Sequence, residues 1–173
     1  MNRKFLLILV LWVAGMFFSL TGIAQQSFKN SADGISQFEG FWQGEGKFSG
    51  LDTVAHAGWE WVLSGKFFRL SIRYEMKMPD GKKQTFEGQG YYQSKGNGKY
   101  EGHWFDSQGN SYPLRGTLEN GVLTSLWGEN GNYNGRSIYR LSAAEKKLEI
   151  ADATKQKDGS WKEFSSFKLA LDR

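Results

Sequence analysis

The clearest alternation in the chain runs from Lys66 to Met78. Phe68, Leu70, Ile72, Tyr74, Met76 and Met78 share one parity, and Arg69, Ser71, Arg73, Glu75 and Lys77 share the other. A period of two over this length specifies a β-strand with one dry and one wet face. Similar short alternations recur along the chain, separated at nearly even intervals by Ser64-Gly65, Pro79-Asp80-Gly81, Gly96-Asn97-Gly98, Gln108-Gly109-Asn110, Asn120-Gly121, Asn130-Gly131 and Asp158-Gly159. Asn-Gly and Asp-Gly accept the positive φ angles of tight hairpins, so each marks a chain reversal. The pattern predicts ten strands, near residues 41–49, 54–63, 66–78, 83–94, 99–106, 111–118, 122–129, 133–141, 146–154 and 161–171.

Sequential hairpins with short loops give up-and-down order, and closing the sheet removes its exposed edges. The expected fold is all-β: a single antiparallel barrel of about ten strands. A short helix near Ala32 to Glu39, with Ile35 and Phe38 on its apolar side, is expected to cap one end. Side chains just fill an eight-stranded barrel, so about ten strands leave a modest lumen. The composition agrees, with 22 Gly for turns, 2 Pro, and 7 Trp, 7 Tyr and 13 Phe to line an interior. With no Cys, disulfide frameworks, thiolate zinc sites, iron–sulfur clusters and cysteine nucleophiles are excluded together.

The chain opens Asn2-Arg3-Lys4, continues apolar from Phe5 to Phe18, and then reads Ser19-Leu20-Thr21-Gly22-Ile23-Ala24. This is the layout of a secretory signal, with Gly22 and Ala24 as the small residues before a cleavage site. The expectation is a signal peptide at 1–24, a flexible segment at 25–34 and a barrel domain at 35–173, exported to the periplasm or secreted. The alternative is an uncleaved anchor, since residues 5–24 just reach across a bilayer. Cleavage removes Arg3 and Lys4, so 20 basic residues remain against 18 acidic ones, and they are dispersed among the acids. A nucleic-acid partner is therefore not expected.

Gly40-Phe41-Trp42-Gln43-Gly44-Glu45-Gly46 resembles the opening of lipocalin-like (calycin) barrels, in which a G-x-W places its Trp across the barrel floor. It is followed by Trp59-Glu60-Trp61-Val62-Leu63-Ser64-Gly65-Lys66-Phe67-Phe68, by Phe86-Glu87-Gly88-Gln89-Gly90-Tyr91, and by Tyr100-Glu101-Gly102-His103-Trp104-Phe105-Asp106-Ser107. With these motifs in this order, the chain resembles the uncharacterised bacterial family called domain of unknown function 1579, over roughly residues 35–171. The related nitrobindin barrels hold haem through a His near the end of the last strand. Here that strand, Trp161 to Leu171, has no His, and neither His56 nor His103 matches the position, so no cofactor is expected.

Strand parity assigns a ligand-binding interior to Trp42, Trp61, Phe68, Leu70, Tyr74, Tyr92, Tyr100 and Trp104, joined by polar Asp106, Arg136 and Glu163. Trp59, Leu114, Ser165, Phe167 and Leu169 fall on the same face. A mostly apolar pocket with a few convergent polar groups is the usual form of a small-molecule site. The leading expectation is thus a non-catalytic exported barrel that binds a small apolar or amphipathic molecule and is not membrane-embedded after cleavage. A hydrolase or isomerase using Asp106, Glu163 and Arg136 is the alternative, and a perturbed carboxylate within the lumen would favour it. An outer-membrane barrel would carry long outer loops and a terminal aromatic, whereas this chain has short loops and ends Leu171-Asp172-Arg173. A glycan-binding module would use exposed Trp127 or Trp161 as stacking platforms. Two His without Cys would need carboxylates to complete a zinc site, so His56 and His103 are expected to be ordinary surface residues; no Gly-x-Ser-x-Gly elbow is present, and no catalytic residue is assigned.

Overall fold

The computed structural model describes residues 34–172. The expected signal peptide, its cleavage site and nearly all of the 25–34 segment lie outside the described residues. Ten strands follow in chain order: β1 (Gly40–Phe48), β2 (Leu51–Val62), β3 (Phe67–Lys77), β4 (Lys83–Gly96), β5 (Lys99–Asp106), β6 (Ser111–Glu119), β7 (Val122–Trp127), β8 (Gly135–Ser142), β9 (Lys147–Lys155) and β10 (Trp161–Leu171). Each pairs antiparallel with the next, and β1 pairs with β10 from Trp42↔Leu171 to Phe48↔Ser165, which closes the barrel.

The hairpins follow from local turn chemistry. Asn97-Gly98 and Asn120-Gly121 have φ of 53° and 68°, and of 50° and 75°, the doubly positive turn that Asn-Gly favours. Ser49-Gly50 adopts the same turn at 50° and 84°, which starts β2 at Leu51, three residues before the expected 54. Asn130-Gly131 instead sits in a 3-10 turn, Glu129–Gly131, within a longer β7–β8 loop.

The expected N-terminal helix is corrected to a five-residue 3-10 segment, Gly34–Phe38, and no α-helix occurs among the described residues. So short a run has no room for successive α-helical hydrogen bonds, and tertiary contacts hold it. Ile35 and Phe38 are fully buried, the Trp42 indole N–H donates to the Phe38 carbonyl at 2.9 Å, and the Trp61 indole donates to the Ser36 hydroxyl at 3.1 Å.

At that end an aromatic and aliphatic plug fills the barrel. Trp59 sits at its centre, with ring centroids 5.5 Å from Phe38, 5.6 Å from Phe68, 5.9 Å from Tyr92 and 5.1 Å from Tyr139. The outer faces are charged: Glu60 pairs with Arg69 across β2–β3, and Arg73 pairs with Glu75 and with Glu87 of β4. Among the described residues no helix is long and apolar enough to cross a membrane.

Glycines let the ring bend. A Cβ at Gly44 would lie 2.0 Å from the Lys168 carbonyl oxygen, and one at Gly102 would lie 1.9 Å from that of Tyr91, so backbone from the neighbouring strand occupies the space of a side chain.

Candidate functional site

The end opposite the plug is hollow. A cavity of about 240 Å³ opens among the β1–β2, β5–β6, β7–β8 and β9–β10 ends of the barrel. Its upper wall is aromatic: Phe48 stacks on Phe86 at 5.6 Å and meets Phe164 edge-on at 5.7 Å, while Tyr112 stacks on Trp127 at 5.9 Å.

Two tryptophans keep the lumen open by lying flat over glycines. Trp104 of β5 pairs across to Gly90 and covers Gly88, where a Cβ would come within 2.2 Å of the indole. Trp127 pairs with Gly135, where a Cβ would likewise come within 2.2 Å. Opposing a large side chain with none presses each ring against the wall and leaves space in front of it.

The floor of the cavity is polar. Asp152 of β9 is enclosed, and its carboxylate accepts hydrogen bonds from Ser137 of β8 at 2.6 Å and from Ser165 of β10. The Trp127 indole N–H donates to the Ser137 oxygen at 3.1 Å. An indole can only donate, so Ser137 directs its own hydrogen to Asp152. Burial pushes the Asp152 carboxyl above its ordinary value, partly offset by the two serine hydroxyls, and Glu163 outside adds a like-charge push upward. Tyr92 donates to Ser125 at 3.1 Å, and burial pushes its phenol up to about 12, while Tyr74 and Tyr139 are raised well above the ordinary phenol by the same cause. All three tyrosines are neutral hydroxyls at physiological pH.

The residues expected from parity divide into three groups. Tyr74, Tyr92, Trp104 and Asp106 line the cavity. Trp42, Phe68, Leu70 and Tyr100 are buried in the core, with half-buried Trp61 packed against it, and none of them lines the cavity. Arg136 and Glu163 are not in the lumen. Arg136 stands on the outer face of β8 with its guanidinium 4.5 Å over the Trp161 ring. The register of β10 shifts between Glu163 and Ser165, so Phe164 is an inserted residue, which sends Glu163 to solvent and keeps Ser165 inside.

Asp106 is in the cavity but is committed to the β5–β6 turn. It accepts from the backbone N–H of Gln108 at 3.0 Å and of Asn110 at 3.1 Å, from the Asn110 side chain at 3.1 Å, and from the Trp104 indole at 3.2 Å. The polar pair that sequence reasoning missed is Ser137 and Asp152. Its trace was Leu148, Ile150 and Asp152 on one parity of β9, and Ser137 and Tyr139 on one parity of β8. Among the described residues no group of three or more His, Asp or Glu side chains is placed to hold a metal ion.

Taken together, the chain is a closed ten-stranded antiparallel barrel, plugged at one end and hollow at the other. No family model matches the chain, and no curated protein matches it in sequence. Among solved structures it is similar to Rv2717c from M. tuberculosis, with a TM-score of 0.60, 15% identity, and coverage of 80% of this chain and 95% of that one. A de novo designed fluorescence-activating β-barrel matches at 15% identity over 81% of this chain and 98% of the design, with a TM-score of 0.39. The first of these likenesses supports the barrel fold.

Proposed function

We propose that the protein is an exported, lipocalin-like carrier of the family called domain of unknown function 1579, holding a compact apolar or amphipathic molecule in its lumen without transforming it. The observation that carries this reading is the half-filled barrel: an aromatic-walled cavity of about 240 Å³ above a closed floor. That volume lies below the ~300–1,000 Å³ of most drug-sized ligand pockets. It suits a ring-sized body better than a long acyl chain. The charged outer faces support a protein surrounded by water, because a lipid-facing barrel carries an apolar band there.

A catalytic reading is favoured by one observation, the raised Asp152 carboxyl at the cavity floor. Among the described residues it lacks a second group: Asp106 is held by its turn, Glu163 is outside, and no His lines the cavity. Trp127, a candidate glycan platform, is engaged with Ser137 and Tyr112, and Trp161 lies under Arg136.

Native mass spectrometry of protein purified gently from the exported fraction tests the carrier reading. A reproducible extra mass that leaves on denaturation is expected. A bare protein that also binds no neutral apolar dye in its lumen would overturn it.

A further inference from the structure

We propose that the lumen selects an organic cation: a primary ammonium group carried on a compact apolar or aromatic body. This rests on the carrier reading and adds a charge class to it. Among the described residues the cavity lining contains two carboxylates, Asp152 at the floor and Asp106 at the mouth, and no Lys, Arg or His. The nearest basic residues on β8, Arg136 and Arg140, both belong to the outer face, the first lying over Trp161.

Among the described residues Asp152 therefore has hydroxyl partners and no counter-ion. A carboxylate oxygen has two lone pairs, and each Asp152 oxygen uses one for a serine, so each retains acceptor capacity. The Trp127–Ser137–Asp152 chain of hydrogen bonds fixes the carboxylate in place before any ligand arrives. A buried carboxylate without an opposite charge is costly, and an entering ammonium group supplies the missing charge. Tyr74, Tyr112, Trp127 and Trp104 line the same cavity, and aromatic rings attract cations through their negative quadrupole, with Phe48 and Phe164 to enclose the apolar body. An anionic ligand would meet only negative or neutral groups on the same path.

The test is isothermal titration calorimetry of the full-length protein at neutral pH with three probes of similar size. Phenethylamine is cationic, phenethyl alcohol neutral and phenylacetate anionic. The amine is expected to bind at least about tenfold tighter than the alcohol, the difference one charge-assisted hydrogen bond brings, with phenylacetate weakest. Asp152→Asn should remove most of that advantage while leaving the alcohol within about twofold.

The ranking in the unaltered protein stands alone if the variant fails to fold. Alcohol binding equal to or tighter than amine binding, or an equal loss of both in the variant, overturns the cation proposal and leaves the carrier reading in place. Binding of a neutral apolar dye with none of the three probes bound does the same. Failure of the dye as well overturns both.

Discussion

A methyl group at Gly88 tests what keeps this barrel hollow. In Gly88→Ala the new Cβ falls 2.2 Å from Cζ2 and 2.5 Å from Cη2 of Trp104, where carbon atoms need about 3.5 Å. The indole has to withdraw by more than about 1 Å, into the cavity it now borders. Overpacking of this kind costs about 1–3 kcal/mol. The displaced ring also loses its 3.2 Å hydrogen bond to Asp106, which adds about 0.5–1.5 kcal/mol. Against this, replacing Gly by Ala reduces the freedom of the unfolded chain and returns about 0.4–1 kcal/mol. The net expectation is a loss of about 1–3 kcal/mol, or roughly 3–10 °C in melting temperature for a chain of this size. Urea unfolding followed by circular dichroism measures it in two backgrounds. With Trp104→Leu the clash disappears, so Gly88→Ala should become neutral or slightly stabilising, a coupling of about 1 kcal/mol or more. An equal loss in both backgrounds, or stabilisation in the unaltered protein, would refute the reasoning.

Other perturbations probe the floor, the wall and the outer face. Because burial raises the Asp152 carboxyl, the folded state holds its proton more tightly than the unfolded state does. Stability from this group is therefore present at low pH and falls as pH climbs from its ordinary value of 3.8 through the raised native one, so Asp152→Asn should flatten that slope in urea midpoints taken across the range. Ile72→Asp places an unpaired charge on the inner wall, where Ile72 is 8% exposed, and should abolish cooperative thermal unfolding; an unchanged melt would show that the wall tolerates charge. Gly102→Ala should cost more than Gly88→Ala in the same urea assay, since its Cβ meets a backbone oxygen at 1.9 Å rather than a ring that can swing away. Arg136→Ala should lower stability by only about 0.5–1 kcal/mol and leave lumen binding unchanged in calorimetry, because its guanidinium stacks outside on Trp161.

The strands were legible because their causes are local. Alternation at residues 66–78 fixes a two-faced strand, and Asn97-Gly98 and Asn120-Gly121 fix reversals through φ angles that few other residues adopt. Parity carried over from strand to strand placed Tyr74, Tyr92, Trp104 and Asp106 on the inside, where the cavity has them. It failed for Glu163, since the bulge at Phe164 inverts the count within one strand and arises from pairing with β9. It failed for Arg136, whose neighbour Ser137 takes the inner position beside Asp152.

What the sequence determined by itself was therefore the set of strands, their up-and-down order in a closed barrel and most of the turns between them. The tertiary structure decided the rest: the register of the β1–β10 seam, which residues fill the plug and which surround a cavity, and the meeting of Ser137, Asp152 and Ser165 from three strands. The physical reason is range. Backbone preference and period act within a few residues, whereas a void exists only where side chains distant in sequence leave space between them, as Trp104 does by lying over Gly88 and Trp127 by lying over Gly135.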